Sequence, residues 1–176
     1  MKNSRKWSSA EVATHIKKIQ GIVKKEKSAS KLEHFSAVSE DELEQKFMRV
    51  NSPMIVFQSW NSTTQGGIVT YNVGIYNPDP TSVGSLYLQI WVGSGNVVGN
   101  IGSFLANVDT RFPRLTEPNF AGLTLAPGAS TTVTFNLNIP VSVEETKYLG
   151  NCCLMQVRYH DVGTYLDRGC FPIQVS

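Results

Sequence analysis

LAPGASTTVTFNLNIP, residues 125–140, decides how the rest of the chain is read. From Thr132 onward, Val133, Phe135, Leu137 and Ile139 alternate with Thr132, Thr134, Asn136 and Asn138. A period of two places the apolar four on one face of a strand and the polar four on the other. Pro127-Gly128 is a turn signal before it, and Pro140, which has no N–H for a ladder, closes it. Such a strand is half-buried and antiparallel, and its apolar face needs a second layer to cover it.

The same period recurs outward from this stretch. Met54 to Trp60 is a short apolar strand. Val69, Tyr71, Val73 and Ile75 alternate with polar or small residues until Asn77-Pro78-Asp79-Pro80 breaks the pattern. Leu86, Leu88, Ile90 and Val92 follow, then Gly93-Ser94-Gly95-Asn96 as a turn. Cys153, Met155, Val157 and Tyr159 make a further alternating face, and a last strand runs to Phe171, Ile173 and Val175. Residues 97–121 are the least regular, with room for one short strand near Val97 and a long loop. Six or seven strands without interleaved helices predict a mainly β chain, an antiparallel immunoglobulin-like β-sandwich over residues 53–176.

Before Asn51-Ser52-Pro53 the period changes to that of a helix. Ser8 and Glu11 form a capping box, Trp7 and Val12 a hydrophobic staple, and Val12, Ile16, Ile19 and Val23 one apolar stripe over residues 8–25. Ser39 and Glu42 repeat the box ahead of a shorter helix over 40–49, while 26–35 fits either helix or linker. Residues 1–50 hold 11 basic and 7 acidic side chains against 5 and 7 in the remainder. This shift predicts a helical N-terminal arm, 1–52, separable from the sandwich. Its apolar stripe must bury somewhere, and the expectation is self-association or a partner protein.

The chain has 176 residues and a net charge of +2, enough length for a real core and no general pull toward polyanions. No apolar run is long enough to span a membrane, and the basic first residues are followed by no apolar signal core. Three cysteines, two adjacent, do not form a disulfide framework, so a cytoplasmic location is expected.

A resemblance attaches to three of these stretches. VGIYNPDP (73–80), LYLQIWVG (86–93) and LAPGASTTVTF (125–135) together resemble immunoglobulin-like adhesion-type modules, the bacterial cell-adhesion-related domain in particular. The resemblance covers residues 53–176 and implies a structural or binding module without catalytic residues. The chain departs from antibody domains in having no cysteine on the Val69–Ile75 strand.

The leading expectation for function is a non-enzymatic binding or assembly module acting through protein–protein contacts. Its candidate contact residues are Trp7, Ile16 and Ile19 on the arm, and Arg111, Phe112, Arg114 and Phe120 in the 97–121 loop, residue types enriched at binding hot spots. No cofactor and no metal are expected. The alternative is a small hydrolase or metal-binding protein using His160, Asp161 and Cys170, which lack motif spacing. Attachment of the first helix's lysines to nucleic acid or an anionic membrane is a third reading. The acidic second helix (Glu40, Asp41, Glu42, Glu44) dilutes that field, so the nucleic-acid signal is not strong.

Overall fold

The computed structural model describes residues 7–49, 53–94, 111–112, 115–116, 123–143, 147–158 and 162–176. The expected boundary at Asn51-Ser52 and the strand near Val97 lie outside them. Helix α1 (Ser9–Ala29) is followed by strand β1 (His34–Ala37), helix α2 (Glu40–Arg49) and strands β2 (Met54–Trp60), β3 (Ile68–Tyr76) and β4 (Val83–Ser94). Short strands β5 (Leu115–Thr116) and β6 (Leu123–Leu125) precede β7 (Ser130–Asn138), β8 (Lys147–Arg158) and β9 (Val162–Gln174).

The strands make two antiparallel sheets, as the alternation requires. One has the order β1-β2-β3-β7 and the other β5-β4-β8-β9, with β6 also on β4. The faces of β3 and β4 turn inward as read from the sequence: Val69, Tyr71, Val73 and Ile75 meet Leu86, Leu88, Ile90 and Val92 in one core. Tyr71 of the first sheet stacks on Phe171 of the second, ring centroids 4.0 Å apart. The buried Tyr71 hydroxyl donates to Gln58 Oε1 at 2.8 Å, so the aromatic body is buried and its polar tip is satisfied.

β7 pairs with β3 over its whole length, from Ile68↔Asn138 to Tyr76↔Ser130, without a register shift. Phe135 is buried against the core, while Thr134 is exposed and donates its hydroxyl to Asn72 Oδ1. Phe135→Ala should therefore lower the unfolding free energy by ~3–5 kcal/mol, the range for emptying a buried aromatic site. Thr134→Ala should stay near ~0.5 kcal/mol. Urea titrations of the two variants check this, and equal losses would mean that both faces of β7 are covered.

β8 departs from the reading of its alternation. Tyr148, Cys152 and Leu154 face the core, and Cys153, Met155 and Val157 lie on the opposite side. Cys153 is nevertheless buried, as is its neighbour Asn151. With both faces of a strand covered, period alone does not tell which is inward.

The largest difference lies in the N-terminal segment. The Ser8–Glu11 capping box forms in full, and the first helix runs on to Ala29. The chain then turns into β1, which pairs with β2 from His34↔Trp60 to Ala37↔Phe57. A strand of the sandwich thus sits inside the expected arm. The helical stripe does not wait for a partner: Ile16, Ile19, Leu43 and Phe47 form a second core with Met54, Val56, Phe57 and Tyr76 on the outer face of the first sheet. Gly74 makes room there, because a Cβ at that position would come within 2.0 Å of the Phe57 ring.

The pairing of β1 ends at Ala37↔Phe57, which leaves the edge of β2 at Ile55 and Val56 without a neighbouring strand. Each buried backbone group still needs a partner. Val38 N donates to Val56 O, Lys46 Nζ to Ile55 O at 2.9 Å, and Ile55 N to Asp167 Oδ2 at 2.8 Å. Lys46 Nζ also donates to the same Asp167 oxygen at 2.7 Å, with both side chains under 9% exposed. One buried ion pair therefore joins α2, the first sheet and the second sheet.

Candidate functional site

The residues singled out in the sequence take mostly structural places. Ile16 and Ile19 are buried under α1, and Trp7 packs edge-on against His15 and Phe47. This corrects the expectation that Ile16 and Ile19 are contact residues of a free arm: their apolar surface is already covered by the outer face of the first sheet, and Trp7 is partly buried beside them. Phe112 is buried against Tyr148, and Arg111 donates to Ser142 O at 2.9 Å and to the Tyr148 hydroxyl at 3.3 Å. These two anchor the chain to the sandwich. Arg114 and Phe120, and likewise His160 and Asp161, lie outside the described residues.

Cys170 is exposed and pairs with Asn151 across β8–β9, next to the Cys153↔Arg168 pair. All three cysteines are free. Burial pushes Cys153 up to about 11, with the Arg168 guanidinium working against it, and burial raises buried Cys152 further. Cys170 is also raised by desolvation, opposed by Arg168. These groups are thiols rather than thiolates at neutral pH, which makes them weak nucleophiles and metal ligands. Among the described residues no group of three or more His, Cys, Asp or Glu side chains could hold a metal ion. A thiol reagent such as dithionitrobenzoate should modify Cys170 in the native protein and reach Cys152 and Cys153 only on unfolding. Three thiols reacting at one fast rate would contradict the burial of the pair.

A concave site among the described residues lies at one end of the sandwich. There β1 begins, β2 ends, β8 begins and β9 ends. A cleft of about 460 Å³ is lined by Glu33, Ser62, Thr63, Lys147, Gln174, Val175 and Ser176. Its floor is closed by a bridge between the sheets: Thr63 pairs with Val175, Thr63 N donates to Gln174 O, and Ser176 N donates to Thr63 O. One wall is a clasp in which Glu33 N donates to Asn61 Oδ1 and Ser62 N donates to Glu33 Oε2. Beside it, His34 stacks on Trp60 at 5.4 Å, and its Nε2 lies 3.1 Å from Ser62 Oγ.

A serine beside a histidine invites a nucleophilic reading. Activation of that kind needs a group that holds the other ring nitrogen. Here the Glu33 carboxylate faces the same Nε2, at 3.6 Å. The arrangement is a polar, hydrogen-bonded wall with a carboxylate and an ammonium at its rim, suited to polar contact. Sequence reasoning missed this cleft because its residues come from four strand ends with no motif linking them. The one local signal is the polar run from Asn61 to Gly67 that follows Trp60.

No protein-family model matches the sequence, and no curated protein is similar enough to count as a relative. Among solved structures, the C-terminal domain of wzt is similar over 81% of this chain and 77% of that one, with 11% identity and a TM-score of 0.53. The CARDB domain of a Pyrococcus furiosus protein, solved in complex with di-metal ions, is similar over 70% of this chain and 90% of that one, with 13% identity and a TM-score of 0.42. A cycloisomaltooligosaccharide glucanotransferase from Paenibacillus matches 66% of this chain with 13% of its own, at 18% identity and a TM-score of 0.41. The first likeness shows the fold, a β-sandwich-type domain. The two looser ones add no argument.

Proposed function

We propose that this protein is a non-enzymatic binding module for a protein partner, with the end cleft as its contact surface. The observation that carries this reading is the composition of that cleft: strand ends of both sheets bring Glu33 and Lys147 together with the neutral donors and acceptors of Ser62, Thr63 and Gln174. Side chains of both charge signs beside neutral polar groups suit an extended polar peptide segment. The contact surface thereby moves from the covered stripe of α1 to the end of the sandwich, and Arg114 and Phe120 stay as candidate contacts in the 97–121 segment. A cytosolic location belongs to the same proposal and is supported by three thiols without a disulfide. No described helix is long and apolar enough to cross a membrane.

Display of random peptides on the intact protein tests the reading. Enriched peptides should bind Lys147→Glu or Glu33→Lys about tenfold more weakly, the scale of one lost charge contact. Peptides that bind both variants as well as the parent would remove the cleft from the account. Turnover of simple esters, phosphoesters or glycosides, abolished by Ser62→Ala, would replace binding with catalysis.

A further inference from the structure

Sheets end in edges, and edges of soluble sandwiches are guarded by charge, proline, bulges or short length. Three edges here are guarded. β1 has four residues, and β5 and β6 have two and three. β9 carries Asp167, Arg168 and Pro172 and a register shift near Tyr165. β7 has none of these devices. It is nine residues long and regular against β3, and the chain holds no charged residue between Glu117 and Glu144. Among the described residues nothing pairs with its second edge.

The ladder fixes which groups that edge presents. At its two ends, Ile139 N donates to Gly67 O and Asn77 N donates to Ala129 O. Odd-numbered residues of β7 are therefore the hydrogen-bonded partners of β3. Since such pairs alternate along antiparallel strands, Thr132, Thr134 and Asn136 point their N–H and C=O groups at the free edge. Their side chains stand on the exposed outer face.

We propose that β7 pairs antiparallel with β7 of a second copy about a two-fold axis at Thr134, joining two four-stranded sheets into one. This site is separate from the cleft and does not rest on the binding proposal. The register follows from the pattern. A two-fold at Thr134 opposes Thr134 to itself and Thr132 to the second copy's Asn136, so every outward-pointing backbone group meets another. On the outer face this repeats the pairing that the chain already makes within itself, where Thr70 donates to Asn136 at 3.2 Å and Thr134 to Asn72 at 2.6 Å. On the inner face it opposes Val133 to Phe135, a β-branched residue to an aromatic one, a favourable cross-strand pair. Neutrality of the edge leaves no like charges to meet when two identical surfaces approach.

Sedimentation velocity of the full chain over a wide concentration range tests the proposal. The parent should show a monomer–dimer equilibrium. Thr134→Lys puts two ammonium groups opposite each other across the axis and should raise the dimer dissociation constant by about tenfold or more. Thr132→Lys alone should weaken the dimer, and Thr132→Lys with Asn136→Glu should restore it, because only this register opposes positions 132 and 136. A parent that stays monomeric throughout, or a Thr134→Lys variant that dimerises like the parent, overturns the proposal. Failure of the paired variant to recover overturns the register. Peptide binding at the cleft is read separately on the same variants and is expected to be unchanged.

Discussion

Asp167→Ala should lower the unfolding free energy by about 3–5 kcal/mol, the range for breaking a buried ion pair by removing one partner. A single carboxylate oxygen accepts from the Lys46 ammonium at 2.7 Å and from the Ile55 N–H at 2.8 Å. Alanine leaves both donors buried, one of them charged. Water cannot replace the carboxylate cheaply where both side chains are under 9% exposed. Lys46→Met should cost less, since Asp167 keeps the Ile55 N–H, while Ile55 O loses its donor. The double variant Lys46→Met, Asp167→Leu should be more stable than the sum of the single losses predicts, because it leaves no unpaired charge. Urea titrations at unchanged m-value provide the numbers. A loss below ~1 kcal/mol for Asp167→Ala would mean that the pair contributes no more than a surface contact.

Deleting residues 1–52 should abolish cooperative folding of the remainder. Natural domains are stable by only ~5–15 kcal/mol, and this deletion acts on several terms at once. It takes away β1 and so uncovers the edge of β2. It exposes Met54, Val56, Phe57 and Tyr76, four side chains that are now at most 3% accessible. It also leaves Asp167 buried without its lysine. Ile19→Asp in the full chain should fail for part of the same reason, since it places a carboxylate at a position 1% exposed in an apolar cluster. A dispersed amide spectrum and a sharp thermal transition for 53–176 would show that the helices are a separable addition after all.

How much of this was legible in the sequence differs by element. β7, β3 and β4 were read to the correct face: β7 has one covered side, and in β3 and β4 the strict alternation marks the inner face even though Tyr76, Tyr87 and Gln89 are buried on the other. The capping box at Ser8 and Glu11 gave the start of α1. β1 was not legible: HFSA is four residues, too short for its alternation to stand out, and only its pairing with β2 makes it a strand. The occupant of the helical stripe was a different kind of miss. Amphipathicity says that a face is buried and not against what. Yet the signal was present in Met54-Ile55-Val56-Phe57, a continuous apolar run that fits a strand covered on both sides. Read that way, β2 asks for a layer outside the sandwich, and α1 and α2 are the segments able to supply it. Lys46 could not be found at all, since a lysine in EDELEQKFMR looks like part of a solvated helix face until Asp167 arrives from 121 positions away.

That separation bears on how the chain is made. A ribosome delivers Lys46 early and Asp167 late, so the N-terminal helices leave the exit tunnel long before the carboxylate that holds them exists. β8, the partner of β9, is late as well. Two-state chains dominated by such distant pairings fold slowly, because the loop must close before its contacts contribute. Until synthesis passes Asp167, the packing of α1 and α2 on β2 lacks the buried ion pair that ties it to the second sheet, and the Lys46 ammonium has no carboxylate to meet. Chains interrupted short of that residue are thus expected substrates for chaperones and proteases, and yield in the cell should depend on translation reaching β9 rather than on the helices forming first.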